Sequence, residues 1–295
     1  MLASLQYSNK PEANQFPPEL VAVVASDQAM TRSLAALIGI ILASGTIFAK
    51  SDDGRRKFEH EKDLISLHYD HAPDKDDGHS TAADRTILES MFGAEWLSDH
   101  AVAVSGTYGL NKTKFNTESD AVMDATWNER GGWIPADRDW SAAIEIVVRR
   151  WGATLQAGGD VFVKEGGQSD FTAELVRRLR ERHPEIDTQM RIHVVQHSDW
   201  NENMTTPEEL TYTRANTNYI RIRDANRYLR RKGSVESFET AATQHPVFAQ
   251  AWRAAFHYFS TAELLDFSDT GELMHLLGLS EMGIDEFRVR FLDAR

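Results

Sequence analysis

The chain has 295 residues, 41% hydrophobic and 26% charged, enough for one large core, with a formal net charge of −13. That charge argues against a nucleic-acid backbone or an anionic membrane as partner, because both draw their affinity from basic patches. Cysteine is absent, which excludes disulfides, thiolate nucleophiles and zinc–thiolate sites.

Residues 1–50 read as a leader. The first 29 are polar and Pro-containing, with no amphipathic period. Met30-Thr31-Arg32-Ser33 then precedes LAALIGIILASGTIFA, an uncharged, mostly apolar run ending at Lys50. It is short for a span of about 20 residues but has the basic start, apolar centre and small-residue exit of a secretory signal over 30–49. The expectation is a periplasmic or secreted protein with no stable membrane insertion in its mature form. A buried first helix is the competing reading, which would leave the protein cytoplasmic.

Residues 51–295 read as one domain, opening with a charged linker over 51–62. Leu64 to Tyr69 is a β-prone buried run that empties into Asp70, Asp74, Asp76 and Asp77. Carboxylates this close repel by roughly 1 kcal/mol or more per pair unless a cation or backbone donors offset them. The natural partner for oxygen ligands is a hard divalent cation, Ca²⁺ or Mg²⁺. Ser80 to Asp84 can cap a helix reaching Phe92, and Ala101 to Ser105 reads as a second strand. Strand, helix, strand in about forty residues is a βαβ unit, and a parallel sheet follows.

The alternation continues through a helix from Trp140 to Trp151, a strand from Val161 to Val163 and a Gly-rich turn from Glu165 to Asp170. A helix from Phe171 to Arg182 and a strand from Ile192 to Val195 lead into a loop from Gln196 to Asn203. Tyr219 to Arg231 reads as a basic surface segment, and Pro246 to Phe259 as a helix whose aromatic stripe belongs to the core. Asp269 or Thr270 can cap the closing helix. The expected class is α/β, a mostly parallel open sheet with helices on both faces.

Several sites are excluded by spacing. With Gly78 at the sixth position of a calcium loop, Pro73 falls at the first and Asp84, not Glu, at the twelfth. Gly166-Gly167 lacks the rest of a dinucleotide or phosphate-loop signature, and no Gly-x-Ser-x-Gly elbow occurs. His68, His71, His79 and His197 stand near strand ends as acid–base candidates.

The order of these motifs resembles the nucleoside hydrolase fold over most of residues 63–278. That family carries Asp-x-Asp-Pro-Gly-x-Asp-Asp after its first strand and binds Ca²⁺ there to polarise the water that attacks the sugar C1′. The resemblance implies metal ligands at Asp70, Asp76, Asp77 (the chief bidentate one), Ser169 and Asp269. It implies sugar contacts from Asn111, Asn201, Glu202 and Asn203, beside which Trp200 is a stacking candidate. Ala72 replaces the motif's second Asp, Asp74 replaces its Gly, and Ser268 stands where many members have a His. The base then falls to Asp70 or Asp74. The implied activity is Ca²⁺-dependent hydrolysis of an N-glycosidic or related glycosyl bond in a small sugar or nucleoside. A non-catalytic carbohydrate- or nucleoside-binding protein on the same fold is the alternative, and a Mg²⁺ phosphohydrolase ranks last because only Lys75 adjoins the acidic turn. The composition leaves a homo-oligomer open.

Overall fold

The computed structural model describes residues 56–71, 75–110, 117–259, 264–279 and 281–293. The expected leader with its apolar run, and Ala72, Asp74 and Asn111, lie outside the described residues.

Six strands form one sheet: β1 (Leu64–Tyr69), β2 (Ala101–Ser105), β3 (Trp133–Pro135), β4 (Val161–Gly166), β5 (Ile192–Gln196) and β6 (Asn218–Arg221). Their spatial order is β3-β2-β1-β4-β5-β6, and every pairing is parallel. The chain starts in the middle, steps outward to β3, returns beside β1 and steps outward the other way. The strand order therefore reverses between β1 and β4, and ligands of open α/β sheets bind outside the carboxyl ends of strands at such a point. A separate antiparallel pair, β7 (Arg230–Lys232) with β8 (Leu264–Asp266), follows.

Alternation along the strands feeds two cores. Ile65, Leu67 and Tyr69 of β1 pack with residues of helices Asp77–Phe92, Asp120–Trp127 and Ala249–Tyr258. Leu64, Val102, Val104, Val161 and Val163 pack instead with helices Trp140–Gln156 and Asp170–Arg182. Each fully buried Leu, Ile or Val contributes about 1.5–3 kcal/mol, so the sheet is held from both sides. At the opposite, amino edge, Asp63 accepts from Arg56 Nη2 at 3.0 Å and from the backbone N–H groups of Glu59 and Asp160 at 2.8 Å each, pinning the starts of β1 and β4 together.

Three elements differ from the sequence reading. The helix expected to begin at Ser80 begins at Asp77, because Asp76 caps it by accepting from the Asp77 N–H at 3.1 Å. The expected loop from Gln196 to Asn203 contains helix Asp199–Met204, started by Ser198 Oγ accepting from the N–H groups of Trp200 and Asn201. The basic segment expected at the surface supplies β6 and the start of β7, a role its charge conceals.

Candidate functional site

The carboxyl ends of β1, β4 and β5 and the chain after β8 surround a cavity of about 220 Å³. Asp70, Asp76, Gly166, His197, Trp200, Asn201, Arg230 and Asp269 are among its walls. A larger hollow of about 520 Å³ lies between helices Trp140–Gln156 and Asp170–Arg182. Its acidic groups are already engaged, however: Glu209 with Arg177 at 2.5 Å, Asp170 with the Thr206 N–H at 3.0 Å, and Glu145 with Arg182. The smaller cavity is the one lined by Asp70, Asp76, His197 and Asp269.

Asp70 ends β1 almost fully buried, and Gln168 Nε2 donates to its Oδ2 at 2.6 Å. Gln168 is itself fixed, since its Oε1 accepts from the Gly109 N–H at 3.0 Å. Gly109 must be glycine: a Cβ there would stand 2.5 Å from Asp170 Oδ2 and 2.6 Å from the Met204 carbonyl. Gly167 likewise leaves room for Thr107 and Asp70.

His71 then turns the chain with φ at +57°, a conformation costly for a non-glycine residue and one that concentrates at functional sites. Its N–H donates to Asp77 Oδ2 at 2.9 Å, and its ring is held between Ser105 Oγ at 3.0 Å and Thr81 Oγ1 at 3.3 Å. Burial, with Lys164 nearby, lowers its pKa to about 3, so His71 is a neutral scaffold.

Asp77 heads its helix with 1% of its surface exposed, and its Oδ1 has no hydrogen-bond donor. The Asp77 and Asp269 carboxyl groups are near enough to share a proton. Burial and the Asp269 charge hold Asp77 well above the usual carboxylate range. Asp269 is not the capping side chain its position suggests, for it makes no cap hydrogen bond. It accepts from His197 Nε2 at 2.8 Å instead. Burial alone would raise Asp269, but Lys164 and His197 outweigh it and hold the group ionised. Glu272 lies behind, fully buried, with Oε1 accepting from the His197 N–H at 2.9 Å and Oε2 unpartnered. Among the described residues His197, Asp269 and Glu272 place one candidate ligand atom each within 4.8 Å of one another.

Of the residues expected at the site, the fold brings Asp70, Asp76, Trp200, Asn201 and Asp269 to the cavity, with Asp77 beneath. Ser169 is not in its wall; the Ser169 carbonyl accepts from the Ala173 N–H at 2.8 Å as helix Asp170–Arg182 begins. Glu202 is also elsewhere, bound to Arg214 at 2.6 Å and to the Tyr219 hydroxyl at 2.8 Å, and Asn203 is exposed outside the wall. Among the histidines only His197 lines the cavity. His68 sits between Ser66 Oγ at 3.0 Å and Glu165 Oε1 at 3.2 Å, which imitates a hydrolase triad, but all three are fully buried and Trp151 stacks on the ring. His79 is enclosed by Phe256 and Phe259, and burial lowers its pKa to about 3.

Sequence reasoning missed Gln168, Lys164 and Glu272. Gln168 was within reach as the one amide in the Gly-rich turn. The two charges inside otherwise ordinary strand and helix text gave no signal. The chain matches no family model, no curated protein and no solved structure.

Proposed function

We propose that this cleft hydrolyses an N-glycosidic or related glycosyl bond of a small sugar-containing molecule, nucleosides foremost, on a nucleoside hydrolase-like fold with Ca²⁺ as its ion. The observation that carries the reading is the convergence of Asp70, Asp76 and Asp269 on one cavity where the strand order reverses, with the buried Asp77 carboxyl against Asp269. Two buried carboxyl groups in contact require a shared proton or a cation; the Lys164 ammonium stands 3.7 Å from Asp77 Oδ1 and no hydrogen bond reaches that oxygen. Carboxylate oxygens suit a hard divalent ion, and the three ligand atoms drawn within 4.8 Å among the described residues are two carboxylate oxygens, of Asp269 and Glu272, and one His197 nitrogen. Asp70, Asp76, Asp77 and Asp269 would hold it. When bound, such an ion makes water a better nucleophile and steadies developing negative charge.

The chain's own groups account for the remainder. Asp70, oriented by Gln168, takes the proton from the attacking water. Asp74 is the second candidate for that role. Asn201, Asn226 and Ser268 on the cavity wall present hydrogen-bonding groups to sugar hydroxyls, and Trp200, 40% exposed, offers a face for the leaving base. The cavity admits a sugar ring with its aglycone outside, a size that disfavours polymers as substrates. His197 and Asp269 form a charged pair in the wall that fixes the orientation of the Asp269 carboxylate.

The test is release of reducing sugar from a nucleoside panel, with Ca²⁺ and with a chelator. Turnover that the chelator abolishes supports the proposal. Tight nucleoside binding without turnover favours a binding protein, and chelator-insensitive turnover removes calcium from the account.

A further inference from the structure

In the parallel register Lys164 of β4 lies beside Leu67 of β1, so its side chain projects to the face that carries helix Asp77–Phe92. A lysine ending among apolar packing is expensive unless its charge is met. Lys164 is fully buried. Its Nζ makes no hydrogen bond but stands 3.7 Å from Asp77 Oδ1, 3.6 Å from Asp84 Oδ2 and 4.1 Å from the centroid of the Tyr69 ring. Asp84 is held in turn by the Tyr69 hydroxyl at 2.8 Å. Directly above lies Gly166, part of the cavity wall, where a Cβ would run into Lys164 Nζ. The ammonium is thus immediately beneath the cavity, under the carboxylates that face it.

We infer that Lys164 is a resident cation of the acidic site, a positioning residue that holds Asp77 from below and competes electrostatically with the divalent ion placed above it. The inference rests on the calcium reading of the same cavity. Charge counting supports it. Asp70, Asp77, Asp84, Asp269 and Glu272 are five buried acids, of which burial holds Asp77 and Glu272 toward the neutral form, and Lys164 and His197 are the charged bases that face them. The fixed ammonium meets part of the remaining negative charge from below. Burial would push the lysine toward neutrality, but Asp84, Asp269, Asp77 and Glu272 outweigh it and keep it charged.

Two substitutions of opposite sign test this, read by Ca²⁺ titration calorimetry and by the Ca²⁺-induced rise in melting temperature. Lys164→Met keeps an unbranched side chain one atom shorter and removes the charge; it should melt lower without Ca²⁺ and bind Ca²⁺ at least about tenfold more tightly than wild type. Asp84→Asn keeps an acceptor for Tyr69 but frees the ammonium of one partner, and it should weaken Ca²⁺ binding. A lysine with only a structural role predicts that Lys164→Met loosens the site, so unchanged or weaker affinity in that variant overturns the inference. If Lys164→Met does not fold, Lys164→Gln read in the same way decides, and unchanged or weaker binding overturns the inference. Ca²⁺ binding gained by Lys164→Met over a silent wild type upholds the inference while removing calcium from the proposed activity. A Ca²⁺ response absent from every protein that folds overturns it.

Discussion

The imidazole of His197 donates from Nε2 to Asp269 Oδ1 at 2.8 Å, while its Nδ1 stands 3.6 Å from Asp224 Oδ1, so one ring just past β5 bridges a carboxylate of the cavity wall and a half-exposed one outside it. Burial would lower the imidazole's pKa, but Asp224 and Asp269 raise it to about 10. A folded value above the unfolded one of about 6.5 means that the protonated ring stabilises the fold. The stabilisation is fully present below about pH 6.5 and is lost as pH rises through about 10. His197→Asn should therefore cost about 3–5 kcal/mol in denaturant unfolding at pH 6 and markedly less at pH 10. A deficit independent of pH would show that the ring acts by packing alone.

Gln168 links the Gly109 backbone to the Asp70 carboxylate. Gln168→Leu should lower kcat about 10- to 100-fold with little change in KM, because it releases the base without touching the sugar contacts. A rise in KM at constant kcat would move Gln168 to substrate binding.

Trp200 presents its ring to the cavity at the start of helix Asp199–Met204, largely free of the core. Trp200→Ala should raise KM for nucleosides by about 2- to 10-fold and leave stability within about 0.5 kcal/mol. Equal loss for purine nucleosides, pyrimidine nucleosides and simple alkyl glycosides would separate it from base stacking.

At the far edge, Asp63 is fully buried under Arg56 and two backbone donors. Asp63→Ala should cost about 3–5 kcal/mol in urea unfolding by stranding those N–H groups and leaving Arg56 with Asp160 as its buried partner. Under the proposed hydrolase reading, the folded variant should keep the kcat of the wild type, since the residue sits at the amino ends of the strands. A change in kcat would couple the two edges.

The sequence carried the sheet well where burial was two-sided: Leu64 to Tyr69 and Ala101 to Ser105 are uninterrupted apolar or small-residue runs, and both strands fall on those residues. It misplaced the start of helix Asp77–Phe92 because an Asp-rich stretch reads as a turn until Asp76 is seen as a cap. Of the expected site residues, Asp70, Asp77 and Asp269 converge because each follows a strand end or starts a helix at the same edge. Glu202 does not, for its partners Arg214 and Tyr219 come from later elements that no local pattern ties to it. Lys164 was illegible for the same reason. Asp77 and Asp84 are more than seventy residues upstream, and only the β1–β4 pairing brings the ammonium beneath them.

The most direct measurement is reducing-sugar release from a nucleoside panel by the wild type and by Asp70→Asn, both saturated with Ca²⁺ and both checked for Ca²⁺ binding by calorimetry. The wild type should hydrolyse at least one nucleoside, and Asp70→Asn should still bind the ion while turning over at least about 100-fold more slowly. No release by the wild type on any nucleoside, or equal rates in the two proteins, would contradict a glycosyl hydrolase that uses Asp70 as its base.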